Sequence, residues 1–206
     1  MQVEKMTDWH RHYFIDKKKN LDFSEYKEAI THDQPFISFL GKYVKPRGRI
    51  LECGSGLGRN VLSLINKGYR VIGLDIDSGM VAASRKFAKA VKVKAKFVKG
   101  DIFQLDKKFR KDRFDVITSH GVLDRYKKRE IRKLIEKQLE VAPLILFAVP
   151  LNTSFNKIFF SKKKYVVFRN LLTQSQWKRE ILKAYNVLET KRVRQRTDNL
   201  FAVIAR

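Results

Sequence analysis

Nine residues, Ile50-Leu51-Glu52-Cys53-Gly54-Ser55-Gly56-Leu57-Gly58, restrict the fold of this chain more than any other stretch. Apolar residues run into an acid, and glycine then takes every second position. This pattern predicts a buried strand that ends in a turn whose backbone comes too close to a ligand for Cβ atoms. Glycine adopts positive φ without steric cost, and its bare backbone lets N–H groups face a bound molecule. Asn60 to Lys67 reads as the following helix, stopped by Gly68.

Three later segments repeat the strand-then-loop pattern. Tyr69 to Asp75 is a second strand ending in an acid, 23 positions after Glu52. An acid at that place can accept from both hydroxyls of a ribose, so Asp75 points to an adenosine ligand. Its alternative role is to cap the next helix, for which Ser78 is the better candidate. Ala95 to Val98 is a third strand followed by Gly100-Asp101-Ile102. Arg113 to Ser119 is a fourth, leaving through His120-Gly121-Val122-Leu123-Asp124. Alternation of strand and helix implies a parallel sheet with right-handed crossovers, whose ligands bind beyond the carboxyl ends of the strands.

The turn spacing is G-x-G-x-G, with Glu52 two residues ahead, and not the G-x-G-x-x-G of dinucleotide folds. It resembles the first motif of class I S-adenosylmethionine-dependent methyltransferases. The fourth segment, Phe114-Asp115-Val116-Ile117-Thr118-Ser119-His120-Gly121-Val122-Leu123-Asp124, is similar to their fourth-strand signature. The resemblance covers about residues 46–206 and implies S-adenosylmethionine as cofactor, with S-adenosylhomocysteine as product. It implies cofactor contacts at Glu52, Gly54, Ser55, Gly56, Gly58, Asp75 and Ser119. By the same resemblance Asp101 accepts from the adenine amino group, while Ile76 and Ile102 cover the two ring faces. The implied fold is Rossmann-like: a seven-stranded, mostly parallel sheet with an antiparallel last strand, helices on both faces and an N-terminal helical extension.

Strands are expected near 49–53, 70–75, 93–98, 113–119 and 143–149, and helices near 58–67, 78–90 and 127–140. Residues 101–112 read as loop with one helical turn, and 151–172 as an irregular, aromatic and basic insertion. Thr173 to Ala184 reads as a capped helix, and residues 186–194 and 200–206 as a closing hairpin. The expected organisation is one domain: a helical lid over 1–45, a cofactor core over 46–150, and an insertion, helix and hairpin over 151–206. Within the lid, one helix carries Trp9, Tyr13 and Phe14, and a second starts near Pro35 with Phe36, Ile37, Phe39, Leu40 and Tyr43. Trp9 and Tyr13 either cover the cofactor or simply pack.

Charge and cysteine content narrow the function classes. Lys and Arg number 45 against 21 acids, a formal +24. Such a field favours polyanions or acidic small molecules. Residues 85–113 carry 12 basic and 3 acidic residues, partly as Lys92, Lys94 and Lys96 on an expected edge strand, where lysines also block edge pairing. Residues 150–206 carry 13 basic and 3 acidic, including Lys157, Lys162, Lys163, Lys164 and Arg169 in the insertion at the ligand edge. Lys157 is therefore a candidate acceptor contact. The single cysteine, Cys53, lies within the turn and leaves no internal disulfide or cysteine-rich metal site. No apolar run approaches the roughly 18 residues of a membrane span, and no secretion signal opens the chain, so a cytoplasmic protein is expected.

Methyl transfer from a sulfonium is an in-line displacement in which the protein chiefly positions the two partners. His120, leaving the fourth strand, is either a general base or a pocket wall. Asp124 reads as a helix cap in preference to an acceptor contact. Ser119-His120-Gly121-Val122 lacks the Asn/Asp-Pro-Pro-aromatic turn of amino-directed base methyltransferases, and Cys53 is misplaced for attack on a pyrimidine. The leading expectation is methyl transfer to an O or N atom of a small or anionic acceptor. The alternatives are an RNA-directed methyltransferase and a non-catalytic protein that binds cofactor or nucleic acid. Neither the acceptor nor the oligomeric state is encoded in any readable pattern.

Overall fold

The computed structural model describes residues 34–110, 113–161, 169–194 and 197–206. The expected helix with Trp9 and Tyr13 lies outside these residues, as do Lys162, Lys163 and Lys164. In chain order the elements are α1 (Pro35–Leu40), β1 (Arg49–Cys53), α2 (Arg59–Asn66), β2 (Arg70–Asp75), α3 (Ser78–Ala90), β3 (Lys96–Lys99) and α4 (Leu105–Lys108). They continue with β4 (Val116–His120), α5 (Lys128–Val141), β5 (Leu144–Pro150), α6 (Ser154–Ser161), α7 (Gln174–Gln176), β6 (Asn186–Arg194) and β7 (Asp198–Ala205).

The seven strands form one sheet in the order β3-β2-β1-β4-β5-β7-β6. Pairing is parallel from β3 through β5, and β7 runs antiparallel to both β5 and β6. The closing hairpin thus falls where the sequence places it. Strand order reverses between β1 and β4, so the crevice for a ligand opens above their carboxyl ends.

Period-two alternation divides the strand side chains between two apolar layers. Ile50, Val116 and Leu146 pack with Phe36, Phe39 and Leu40 of α1 and with α2 and α3. Leu51, Ile117, Ile145 and Phe147 pack on the other face with Ile131, Leu134 and Ile135 of α5 and with Trp177. Pro35 opens α1, as expected for a residue with a preset φ and no N–H to leave unpaired.

Several expectations are corrected. β3 begins at Lys96, so Lys94 precedes the strand and Lys92 turns the chain at φ 58°. The cap of α3 is Asp77, not Ser78: its Oδ1 accepts from the N–H groups of Gly79 and Met80. Helix α6 forms within the stretch read as irregular. Thr173 and Gln176 do exchange the expected reciprocal cap bonds, but the helix then widens into a π-helical turn over Trp177–Ile181.

Candidate cofactor and acceptor crevice

Four strand ends meet at one edge. β1 gives way to the glycine turn, in which Gly54, Gly56 and Gly58 all have positive φ. The glycines serve different ends. A Cβ on Gly58 would overlap the Phe97 ring, and one on Gly54 would overlap Val122, so those two accommodate the protein's own side chains. Only Gly56 is open, with Met80 Cε as the nearest atom to a Cβ, at 3.7 Å.

Asp75 ties the end of β2 to this turn. Its Oδ2 accepts from the Gly56 N–H at 2.8 Å and its Oδ1 from the Asp77 N–H at 3.0 Å. Burial raises its pKa, while those backbone hydrogen bonds pull it down. The Ile76 backbone adds a third such bond, and of the roughly four acceptor sites of a carboxylate that leaves one for a ribose hydroxyl. Asp75 is thus an anchor for the turn, with acceptor capacity left over.

Glu52 is committed inward. It is 2 % exposed, accepts from Asn60 Nδ2 at 3.1 Å through one oxygen, and accepts from the Thr118 hydroxyl through the other. Desolvation raises its pKa to about 7 despite these two bonds. Glu52 therefore links β1 to β4 and to the first turn of α2, a supporting part under the crevice. Asn60 and Thr118 had no signal in the sequence that would single them out.

Asp101 begins the turn after β3, with Oδ1 accepting from the Phe103 N–H at 2.9 Å. Ile76 is half-buried at the edge, whereas Ile102 is almost wholly in the core and has little surface left for a ring. Two hydroxyls near the turn, Ser55 Oγ and Ser119 Oγ, are buried without a hydrogen-bond partner. Buried polar atoms are rarely left unmatched, so these two mark a place where a polar ligand fits.

The His120 side chain is exposed, with its ring 5.2 Å from that of Phe36 and 6.5 Å from that of Phe201. Protein crowds the imidazole on its other sides. Desolvation, then the positive charge of Arg59, lowers its pKa to about 4. The open edge retains some hydration and limits that fall, but either way the ring is neutral at neutral pH. Asp124 is not a helix cap: Lys127 holds that place for α5. It is fully buried, ion-paired with Arg169, and its backbone carbonyl accepts from the Asn170 N–H at 2.6 Å. The returning end of the insertion is thereby fastened to the β4 exit loop. Lys157 lies exposed on α6, and no described contact joins it to the crevice.

A separate groove of about 630 Å³ opens beyond the end of β5, lined by Thr153, Thr173, Lys178, Arg179 and Arg192 among others. It holds three cations and no acid. Among the described residues no group of His, Cys, Asp and Glu is placed to hold a metal, and no helix is long and apolar enough to cross a membrane.

Comparison with known proteins agrees with this geometry. Residues 50–142 match a family model described as a methyltransferase domain. Magnesium protoporphyrin IX methyltransferase from Synechocystis PCC 6803, solved with bound S-adenosylhomocysteine, superposes with a TM-score of 0.69 at 17 % identity, over 95 % of this chain and 97 % of its own. A protein of Pyrococcus horikoshii OT3 gives 0.71 at 18 % identity, over 94 % and 98 %. TehB from Haemophilus influenzae gives 0.62 at 16 %, over 96 % of this chain and 67 % of its own. No curated protein sequence matches the chain. Residues 50–142 thus match a methyltransferase-domain model, and the seven-stranded sheet around them shares the fold of these solved proteins, one of them a methyltransferase with bound S-adenosylhomocysteine.

Proposed function

We propose that this chain is an S-adenosylmethionine-dependent methyltransferase acting on an O or N atom of a small, anionic acceptor. The observation that carries the reading is the junction of Gly56 and Asp75. An open glycine and a buried acid with spare acceptor capacity share one hydrogen bond at the edge where the sheet order reverses.

Bound there, the cofactor supplies a methyl group already activated by a sulfonium. Asp75 holds a ribose hydroxyl, Asp101 accepts from the adenine amino group beside Ile76, and the turn from Gly54 to Gly58 faces the amino-acid part. Ser119 offers its unmatched hydroxyl at the end of β4. His120, neutral at neutral pH, adds no positive charge next to a sulfonium and lines the path of the acceptor. With its pKa lowered by desolvation it holds a proton weakly, so the chemistry rests on positioning.

The groove beside β5, where Lys178 and Arg179 stand beside an Arg192 already paired with Asp198, favours an acceptor that carries negative charge. The test is incubation with methyl-labelled cofactor and fractionated cell extract, with and without ribonuclease. Label in a ribonuclease-resistant small-molecule fraction supports the reading. Label confined to RNA moves the acceptor to nucleic acid, and label in no fraction leaves only a binding protein.

A further inference from the structure

Helix α6 is inside out. Its one buried residue is Asn156, at 0 % exposure, while Phe155 and Ile158 stand in solvent at 41 % and 58 % exposure. Phe159 and Phe160 are only half-buried. This orientation is fixed by hydrogen bonds. Asn156 Nδ2 donates to the backbone carbonyls of Leu151 and Asp198, both at 2.7 Å, and its Oδ1 accepts from the Asp198 N–H at 2.8 Å. The helix cannot roll its apolar side inward without leaving these buried groups unmatched.

The fringe of this apolar face is basic. Lys157 lies on the helix, Arg194 stands over the Phe155 ring at 5.4 Å, and Arg169 over the Phe160 ring at 4.5 Å. Arg169 is ion-paired with buried Asp124 and Arg194 with buried Asp198, so the attraction of this fringe for anions draws on Lys157 and on the formal +24 of the chain as a whole. An exposed aliphatic and aromatic face rimmed by cations is complementary to an anionic bilayer surface, where apolar groups enter the acyl boundary and cations meet headgroups. Ile158, the most exposed of the large apolar residues, cannot stack on a base, which sets the face apart from a single-strand nucleic-acid platform.

We propose that α6 docks the protein peripherally on an anionic membrane surface. The helix follows β5 directly and bonds to the start of β7, opposite Pro150, so it lies at the carboxyl edge of the sheet. A protein docked through it holds its crevice at the membrane.

The test uses the full chain and sedimentation with vesicles of phosphatidylcholine alone or mixed with phosphatidylglycerol. Ile158→Ser and Phe155→Ser remove apolar surface and leave the net charge of +24 intact. Binding to the mixed vesicles is expected, weaker on phosphatidylcholine alone, with each substitution costing about tenfold in affinity and thermal stability unchanged. Wild-type protein that stays in the supernatant overturns the proposal. So does equal binding by the serine variants, which reduces the attraction to bulk charge. Single-stranded RNA binding that is lost in those variants, with no vesicle binding, assigns the face to nucleic acid instead. None of these readouts needs methyl transfer, so the proposal stands or falls apart from the enzymatic one.

Discussion

Replacing Glu52 by Gln should stabilise the protein increasingly as pH rises. The carboxyl is 2 % exposed and its pKa goes from an ordinary 4.5 to about 7, with desolvation as the main cause. A folded-state pKa above the unfolded one means that ionisation opposes folding. The stability tied to this proton is complete below about pH 4.5 and is lost as pH climbs to about 7, where the native carboxyl ionises too. At about 1.36 kcal/mol per pH unit, that interval amounts to about 3 kcal/mol. Gln keeps both contacts: its oxygen accepts from Asn60 and its amide donates to the Thr118 hydroxyl oxygen. The variant carries no proton to lose. Guanidinium unfolding of both proteins, followed by the fluorescence of buried Trp177, should show the variant gaining about 3 kcal/mol on the wild type from pH 4.5 to beyond 7. A difference constant across that range would refute the reasoning, because Glu52 would then titrate alike in both states.

Other outcomes follow from single contacts. Asp75→Ala should weaken S-adenosylhomocysteine binding by about 1–3 kcal/mol in calorimetry, since it also orphans the Gly56 and Asp77 N–H groups. Gly58→Ala should cost roughly 2–5 kcal/mol of stability by chemical denaturation, from a φ of 82° and overlap with Phe97. Gly56→Ala has open space for its methyl, so it should cost only about 1–2 kcal/mol of stability and register mainly as lost cofactor affinity. With His120 neutral, the pH profile of turnover should show no step near the ordinary imidazole value of about 6.5 that disappears in His120→Asn. His120→Ala should still reduce turnover more than cofactor affinity, measured by steady-state kinetics beside calorimetry; equal losses would make the ring only a wall.

The sheet was legible because its strands obey simple rules. β1, β2 and β5 carry apolar runs that end at glycine, acid or proline, and β6 and β7 are separated by turn residues. The antiparallel β7 was legible from that hairpin, and with it the class of fold. Side chains whose partners come from far along the chain were not. Glu52 reads as a ligand contact until Thr118, 66 residues away, and Asn60 occupy it. Asp124 reads as a cap because its true partner, Arg169, lies 45 residues further on. Helix α6 is hidden in the sequence because its apolar residues turn outward, and the periodicity that reveals a helix assumes they turn in. At Gly54 and Gly58 the sequence signals that a Cβ is excluded but not by what, and tertiary packing puts Val122 and Phe97 there.

The central claim is that an adenosyl sulfonium lies across the ends of β1, β2 and β4. Isothermal titration of the intact protein with S-adenosylhomocysteine, set beside a dinucleotide and a flavin, tests it most directly. Saturable one-to-one binding of the homocysteine compound, absent for the other two, is the predicted result. Heat from the dinucleotide or flavin and none from S-adenosylhomocysteine would contradict it.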